Sequence, residues 1–401
     1  MSANRWIELE SEVYMHVAKR TPVVLVRGEG VRVWDDSGKS YLDMVGGWAV
    51  NTLGHASPVI TEALSEQAAS LVHVSNQFYS VPQVELAKLL VDNSSLDRVF
   101  FANSGAEANE GAVKLARKWG KLRRDAAYEV ITAEHSFHGR TLAMVAATGK
   151  PVYQKIVEPL PAGFVTVPYD DIQALKAATT GRTVGIMLEP IQGEGGVNIP
   201  SEGYLKAVRQ WCDEKNLLLI LDEVQTGVCR LGTLWGHSQF GIEPDVMTLA
   251  KGLGGGLPIG AILVKNEHEV FEPGDHGSTF GGNPLVCAVA LAVLRHALKI
   301  DLCAHVRAVG GHLLARLEDL KKSIPAITQV RGRGLLIAVE FDGDLAAPVQ
   351  EVATQAGVLL NVTAPNLIRL MPPLTMTEAE ADQVVDVLGR VIEQVAAAPS
   401  S

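Results

Sequence analysis

Asp245-Val-Met-Thr-Leu-Ala250 leads directly into Lys251, and Leu217-Leu-Leu-Ile-Leu221 leads directly into Asp222, 29 residues earlier. Each is a short apolar run closed by a charged side chain, which reads as a buried strand ending at a functional edge. Arg98-Val-Phe-Phe101, Glu129–Thr132, Thr183–Leu188 and Ala261–Val264 are further segments of strand type, with helical patterns between them. The alternation predicts an α/β domain around a mainly parallel sheet. In such sheets ligands bind beyond the C-terminal strand ends, where Ser104, Glu189, Asp222 and Lys251 all fall.

A third segment adds a ligand type. Asn103-Ser-Gly-Ala-Glu-Ala-Asn109 follows a strand and opens a helical pattern, so its free backbone N–H groups suit an anion such as phosphate. Ser104 and Glu107 also satisfy a capping box, a structural role that needs no ligand. Gly105-Ala106 permits the close backbone approach that a phosphate requires. A lysine amine, a carboxylate and a phosphate site together match the needs of pyridoxal phosphate: an amine to bond its aldehyde, and an acid to keep its pyridine nitrogen protonated. The glycines of Lys251-Gly-Leu-Gly-Gly-Gly256 would leave room for a planar cofactor. No Gly-x-x-x-x-Gly-Lys-Ser/Thr and no Gly-x-Gly-x-x-Gly after a strand supports a nucleotide reading.

The whole chain bounds the rest. Its 401 residues are 47% apolar and 20% charged, ample for a packed core, with no linker or repeat. One large domain with a smaller satellite is expected. The net charge of −10 comes without a basic stripe, which argues against a nucleic-acid partner. No apolar run reaches the length of a membrane span, and Met1-Ser-Ala-Asn-Arg-Trp-Ile-Glu8 lacks the layout of a signal peptide, so a cytoplasmic location is expected. Cysteines 212, 229, 287 and 303 show no metal-ligand or redox spacing and read as buried thiols; no metal site is expected. A hairpin is predicted around Asp36-Ser-Gly38. A last helix is predicted behind the capping box Thr377/Glu380, with Ala381, Val384, Val385, Leu388, Val391, Ile392 and Val395 on its apolar face.

Gly46-Gly-Trp-Ala-Val-Asn-Thr-Leu-Gly-His55, Asn103–Asn109, Ser136-Phe-His-Gly-Arg-Thr141, Glu189-Pro-Ile-Gln-Gly-Glu194, Leu221-Asp-Glu-Val-Gln-Thr-Gly227, Ala250-Lys251 and Gly277-Ser-Thr-Phe-Gly-Gly-Asn-Pro284 occur in this order. With these motifs the chain resembles the class III (ornithine/4-aminobutyrate type) aminotransferases of pyridoxal phosphate fold type I, over nearly its full length. The resemblance implies a large domain at 51–290, with a mainly parallel central sheet, and a smaller α+β domain built from 1–50 and 291–401.

It also implies roles. Lys251 would bond the cofactor and then carry the proton; Asp222 would pair with the ring nitrogen and Gln225 approach the phenolic oxygen. Ser104, Gly105 and Ala106 would hold the phosphate and Phe137 stack on the ring. Thr279 would reach the phosphate of a neighbouring subunit, so a homodimer is implied. Arg140 would bind a substrate carboxylate. Arg369, in Asn366-Leu-Ile-Arg-Leu-Met-Pro-Pro373, would bind a second one, masked by Glu189 while an ω-amine donor is bound. A structural ion pair is the plainer reading of Glu189 and Arg369. Trp48, at the pocket mouth, would either shape donor specificity or pack at the subunit interface.

The implied reaction moves the terminal amino group of N2-acetylornithine to 2-oxoglutarate by a ping-pong route, a step of arginine biosynthesis; ornithine, 4-aminobutyrate or a succinylated ω-amine are the alternative donors. An aminomutase or decarboxylase would not need a Glu189–Arg369 switch. A regulator that binds the cofactor without turnover would need a DNA-binding segment, for which no residues remain.

Overall fold

The computed structural model describes residues 3–397, so the first two residues of the Met1–Glu8 stretch lie outside it. An N-terminal antiparallel unit comprises β1 (Leu25–Glu29), β2 (Arg32–Asp35) and β3 (Ser40–Asp43); the predicted turn around Ser37-Gly38 joins the last two. Then come β4 (Arg98–Ala102), β5 (Glu129–Ala133), β6 (Phe164–Val167), β7 (Thr183–Leu188), β8 (Leu218–Asp222), β9 (Val246–Leu249) and β10 (Gly260–Val264). These form one seven-stranded sheet in the order β4-β10-β9-β8-β7-β5-β6.

Every residue of β5, β7, β8, β9 and β10 is buried, which is why these strands read as nearly continuous apolar runs and not as alternating ones. β5, β6, β7, β8 and β9 pair in parallel, and β10 runs antiparallel to both β9 and β4. β4 therefore points the same way as β9, and the residues that follow β4, β7, β8 and β9 emerge at one edge of the sheet. β6 was not foreseen: Phe164-Val-Thr-Val167 is a four-residue apolar strand at the sheet edge, with only Val167 fully buried. β8 begins one residue later than expected because the N–H of Leu217 bonds back to Cys212, ending the helix Tyr204–Lys215.

The C-terminal part adds β11 (Ile327–Arg333), β12 (Leu336–Phe341), β13 (Val358–Leu359), β14 (Asn361–Ala364) and β15 (Leu367–Leu370). Four of them make an antiparallel sheet, β11-β12-β15-β14, while β13 pairs in parallel with β3, so the two ends of the chain share a sheet. A boundary at 290 falls inside the unbroken helix Pro284–Lys299. The last helix, Glu378–Ala396, carries the capping box from Thr377 and Glu380 and buries Ala381, Val384, Val385, Leu388, Val391 and Ile392 against this region. Among the described residues no helix is long and apolar enough to cross a membrane.

Candidate active site

At the common edge of the strands lies a cavity of about 460 Å3 lined by Ser104, Gly105, Ala106, Phe137, Arg140, Glu189, Asp222, Gln225 and Lys251, together with Glu194 and Val224. The size is that of a small-molecule site. Parallel strand direction alone brings these residues together from five segments of the sequence.

Lys251 follows β9 in the left-handed backbone region, φ 41°, a conformation that costs a side-chain-bearing residue about 1–3 kcal/mol and is held only by the surrounding structure. Part of that hold is Thr52, whose hydroxyl donates to the carbonyl of Gly252 at 2.8 Å. Burial lowers the pKa of the Lys251 amine, with Glu194 opposing and Arg369 reinforcing the shift.

Asp222, at the end of β8, is buried and heavily bonded. Its Oδ2 accepts from Asn109 Nδ2 at 2.7 Å and stands 2.8 Å from His138 Nδ1; its Oδ1 accepts from the N–H of Val224 at 3.0 Å. Asn109 in turn accepts from the Thr248 hydroxyl at 2.6 Å. Burial pulls the His138 pKa down, but Asp222 outweighs it and the net shift is upward. His138 Nε2 is buried without a partner. His138 lies in a quoted motif, yet nothing in the local sequence marked it as the support of Asp222.

Ser104 caps the helix Gly105–Arg123, its hydroxyl accepting from the N–H of Glu107 at 3.2 Å. The reciprocal bond of the expected capping box is displaced by one residue: the Glu107 carboxylate accepts from the backbone and side-chain nitrogens of Asn103, at 2.6 and 2.8 Å. The N–H groups of Gly105 and Ala106 have no preceding helical turn to bond. A Cβ at Gly105 would stand 2.8 Å from Val224 Cγ1, so the glycine lets the helix start pack on the cavity wall.

One pairing differs from expectation. Glu189 does not meet Arg369: its two oxygens accept the N–H groups of Phe137 at 2.9 Å and Gly193 at 3.1 Å. Arg369, on β15 and wholly buried, donates to Glu194 Oε1 at 2.7 Å, to Asn361 Oδ1 at 2.9 and 3.1 Å, and to Gln225 Oε1 at 3.2 Å. Glu189 directly follows β7 and is committed to bracing the turn there, whereas Glu194 lies further along the glycine-containing loop, where it faces β15. Burial lifts the Glu189 carboxyl to about 7, against the pull of His138. Burial acts the same way on Glu194, but Arg369 and then Lys251 overcome it and hold that carboxyl down to about 2.

Arg140 lies with its guanidinium 3.7 Å from the centre of the Tyr153 ring and 5.6 Å from that of Phe137. Tyr153, which sequence reading passed over, is thus the closer aromatic support of the carboxylate-binding candidate. Thr279 and Trp48 stand apart from the cavity of this chain. Both are exposed, and Trp48 belongs to the left-handed stretch Gly46, Gly47, Trp48, Ala49.

These residues fit pyridoxal phosphate on their own geometry: a helix start with free N–H groups, a buried carboxylate fixed by an amide and an imidazole, a lysine amine of lowered pKa, and apolar walls from Phe137 and Val224. Residues 13–392 match the family Aminotransferase class-III. The acetylornithine aminotransferase of Methanothermobacter thermautotrophicus is 50% identical over 397 residues, covering 98% of this chain and 100% of the relative. That of Caldanaerobacter subterraneus subsp. tengcongensis is 48% identical over 390 residues, covering 97% and 99%. Among solved structures, the ornithine aminotransferase from Toxoplasma gondii ME49 superposes with a TM-score of 0.94 at 34% identity, over 99% of this chain and 96% of the other. The acetylornithine aminotransferase from Elizabethkingia anophelis does so with 0.88 at 37% identity, over 98% and 100%. With the same fold as these solved structures and a family match along almost its whole length, the chain belongs to the class III aminotransferases.

Proposed function

We propose that the chain is a pyridoxal phosphate enzyme that moves the terminal amino group of N2-acetylornithine to 2-oxoglutarate, leaving N-acetylglutamate semialdehyde and glutamate, within arginine biosynthesis. The observation that carries the reading is the pair of arginines: Arg140 at the cavity wall, and Arg369 sealed behind Glu194. A donor with one carboxylate near its reacting amine needs one guanidinium; a dicarboxylate acceptor needs two. The relatives at 48–50% identity named above support the choice of donor.

When bound, pyridoxal phosphate supplies an electron sink for the substrate carbon that bears the amine. Ser104 and the N–H groups of Gly105 and Ala106 would hold its phosphate, Phe137 and Val224 its ring faces, and Gln225 its phenolic oxygen. Asp222, fixed by Asn109 and His138, would keep a proton on the ring nitrogen. Lys251, whose amine has the lowered pKa required of a base, would take the proton from the substrate carbon. Arg140, steadied by Tyr153, binds the single carboxylate of the donor while Glu194 neutralises Arg369. For glutamate and 2-oxoglutarate, Glu194 gives up Arg369 to the second carboxylate. Glu189 holds Phe137 and the loop start in place throughout.

We further propose a homodimer, with Thr279 of each copy serving the partner's phosphate site. Thr279 is exposed beside Phe280, and Asn76 ties this segment, through the carbonyls of Ser278 and Gly281, to the stretch containing exposed Phe78 and Tyr79. Exposed aromatic side chains on two segments tied together in this way suit a subunit contact. Light scattering should give twice the chain mass.

A donor panel scored by glutamate formation tests the substrate. N2-acetylornithine should give the highest kcat/KM with 2-oxoglutarate as acceptor. A higher value for ornithine, 4-aminobutyrate or succinylornithine would replace the donor while leaving the reaction class intact.

A further inference from the structure

Two cysteines 74 residues apart meet outside the cavity. Cys229 is buried in the turn that follows Asp222 and Gln225, with left-handed backbone at 66° after Val228 at 53°. Cys303 is half-buried at the second position of the helix Leu302–Ser323. Their sulfurs stand 2.8 Å apart, with both thiols free. That is well short of ordinary packing distance and beyond the ~2.05 Å of a disulfide. Three of the four cysteines are the buried free thiols expected and Cys303 is half-buried; the fold supplies a proximity that the spacing did not announce.

The surroundings keep the two together. Arg307, one turn along the same helix, donates to the carbonyl of Gly232 in the Cys229 turn. The adjacent Arg230, fully buried, donates to the carbonyls of Leu335 and Pro372. Arg307 thus ties the turn to the helix, and Arg230 anchors the turn to the segments of Leu335 and Pro372. The two thiols are also unequal. The shared hydrogen bond and burial push Cys229 up, so it keeps its proton. The same bond, aided by Arg307 against burial and Asp301, lowers Cys303.

We propose that Cys229 and Cys303 form a peroxide-sensitive modification site, in which Cys303 is the attacking thiol and Cys229 the resolving one. The Cys303 thiolate attacks one oxygen of hydrogen peroxide, the O–O bond breaks, and Cys303 becomes a sulfenic acid while hydroxide leaves and is protonated to water. The Cys229 sulfur then attacks the sulfenic sulfur, its proton leaving with the displaced hydroxide as a second water. The product is an intramolecular disulfide; both sulfurs are oxidised and one peroxide is reduced to two waters. It ties the turn after Asp222 to the helix Leu302–Ser323. The site is independent of the choice of amino donor.

The test uses the cofactor-loaded enzyme, treated with hydrogen peroxide, alkylated and mapped without reduction. A disulfide joining the Cys229 and Cys303 peptides of one chain is expected, with titratable thiols falling from four to two and dithiothreitol restoring them. In Cys229→Ser, dimedone should trap a sulfenic acid at Cys303; in Cys303→Ser, the same peroxide dose should leave Cys229 reduced. Survival of all four thiols, a disulfide between chains or between other cysteines, or sulfinic acid at Cys303 beside a reduced Cys229 would each overturn the proposal. Should either variant fail to fold, the wild-type map decides alone.

Discussion

Glu194→Gln should separate the two half-reactions. Arg369 has no side-chain exposure and Glu194 only 26%, so their ion pair is little screened. The carboxyl is drawn from 4.5 to about 2, which at 1.36 kcal/mol per pH unit is a stabilisation of about 3 kcal/mol, mostly owed to Arg369 and Lys251. The sign fixes where it acts: a lowered acid contributes fully above pH 4.5 and fades as pH falls from there toward 2, so the mask is intact throughout an assay range of about 6–9. A dicarboxylate must displace this pair, and an ω-amine donor depends on it.

With glutamine at 194 the acceptor no longer works against the full pair, while the donor faces a guanidinium held only by Gln225, Asn361 and a neutral amide. An interaction of about 3 kcal/mol converts to roughly 100-fold as an upper limit, and the surviving hydrogen bonds set a lower figure of about 10-fold. The ratio of kcat/KM for glutamate to that for acetylornithine should therefore rise by about 10- to 100-fold. Single-turnover absorbance changes, with each amine mixed separately with the cofactor-loaded enzyme, measure the two terms independently. Equal losses in both half-reactions would make Glu194 a structural partner only. The same split in Glu189→Gln, without one in Glu194→Gln, would return the masking role to Glu189.

Other expectations follow from the same geometry. Lys251→Ala should abolish turnover, and borohydride treatment of the wild type should fix the cofactor to Lys251 in a peptide map; a label on another lysine would displace the assignment. Asp222→Asn should retain the cofactor yet slow both half-reactions by about 10²- to 10³-fold, since a neutral amide cannot hold a proton on the ring nitrogen; near wild-type rates would mean another group does so. Tyr153→Leu should raise KM for donor and acceptor alike by about 2- to 30-fold, the range of a lost cation–π contact, with Tyr153→Phe close to wild type; an unchanged KM in the leucine variant would remove Tyr153 from the support of Arg140. Glu189, raised to about 7, binds its proton more tightly folded than unfolded, so wild-type stability relative to Glu189→Gln should fall by about 3 kcal/mol as pH rises from 4.5 to about 7 and level off above it. Thermal melts across that range would show it, and parallel curves would refute it.

The parts of the site that were legible in the sequence are those set by local pattern. β7, β8 and β9 are apolar because both faces are covered, so their charged endings Glu189, Asp222 and Lys251 stood out, and parallel direction made their convergence predictable. Thr377 and Glu380 are three residues apart, and a capping box needs nothing more distant. Partners contributed by remote segments left no such mark. Nothing beside His138 shows that it will meet Asp222, 84 residues on, and nothing beside Tyr153 shows that Arg140 will lie across its ring. Cys229 and Cys303 fail the same way, since spacing rules describe thiols placed by one turn or loop, and these are placed by a turn and a helix from opposite sides of a long connection.

Glu189-Pro-Ile-Gln-Gly-Glu194 shows most clearly why the two carboxylates were confused. Burial opposes the charge of both, and by composition either could face a guanidinium. What divides them is which partners reach each one. Glu189 has two backbone N–H groups and the His138 side of the cavity, which do not repay its burial, and it titrates at about 7. Glu194 has Arg369, 175 residues away on β15, with Lys251 nearby, and it titrates at about 2. The two values thus follow from the pairing: the carboxylate that Arg369 reaches stays charged above about pH 2, and one without a cation beside it does not repay its burial. Glu194 is therefore charged when it neutralises Arg369 for one substrate and when it yields the guanidinium to the next.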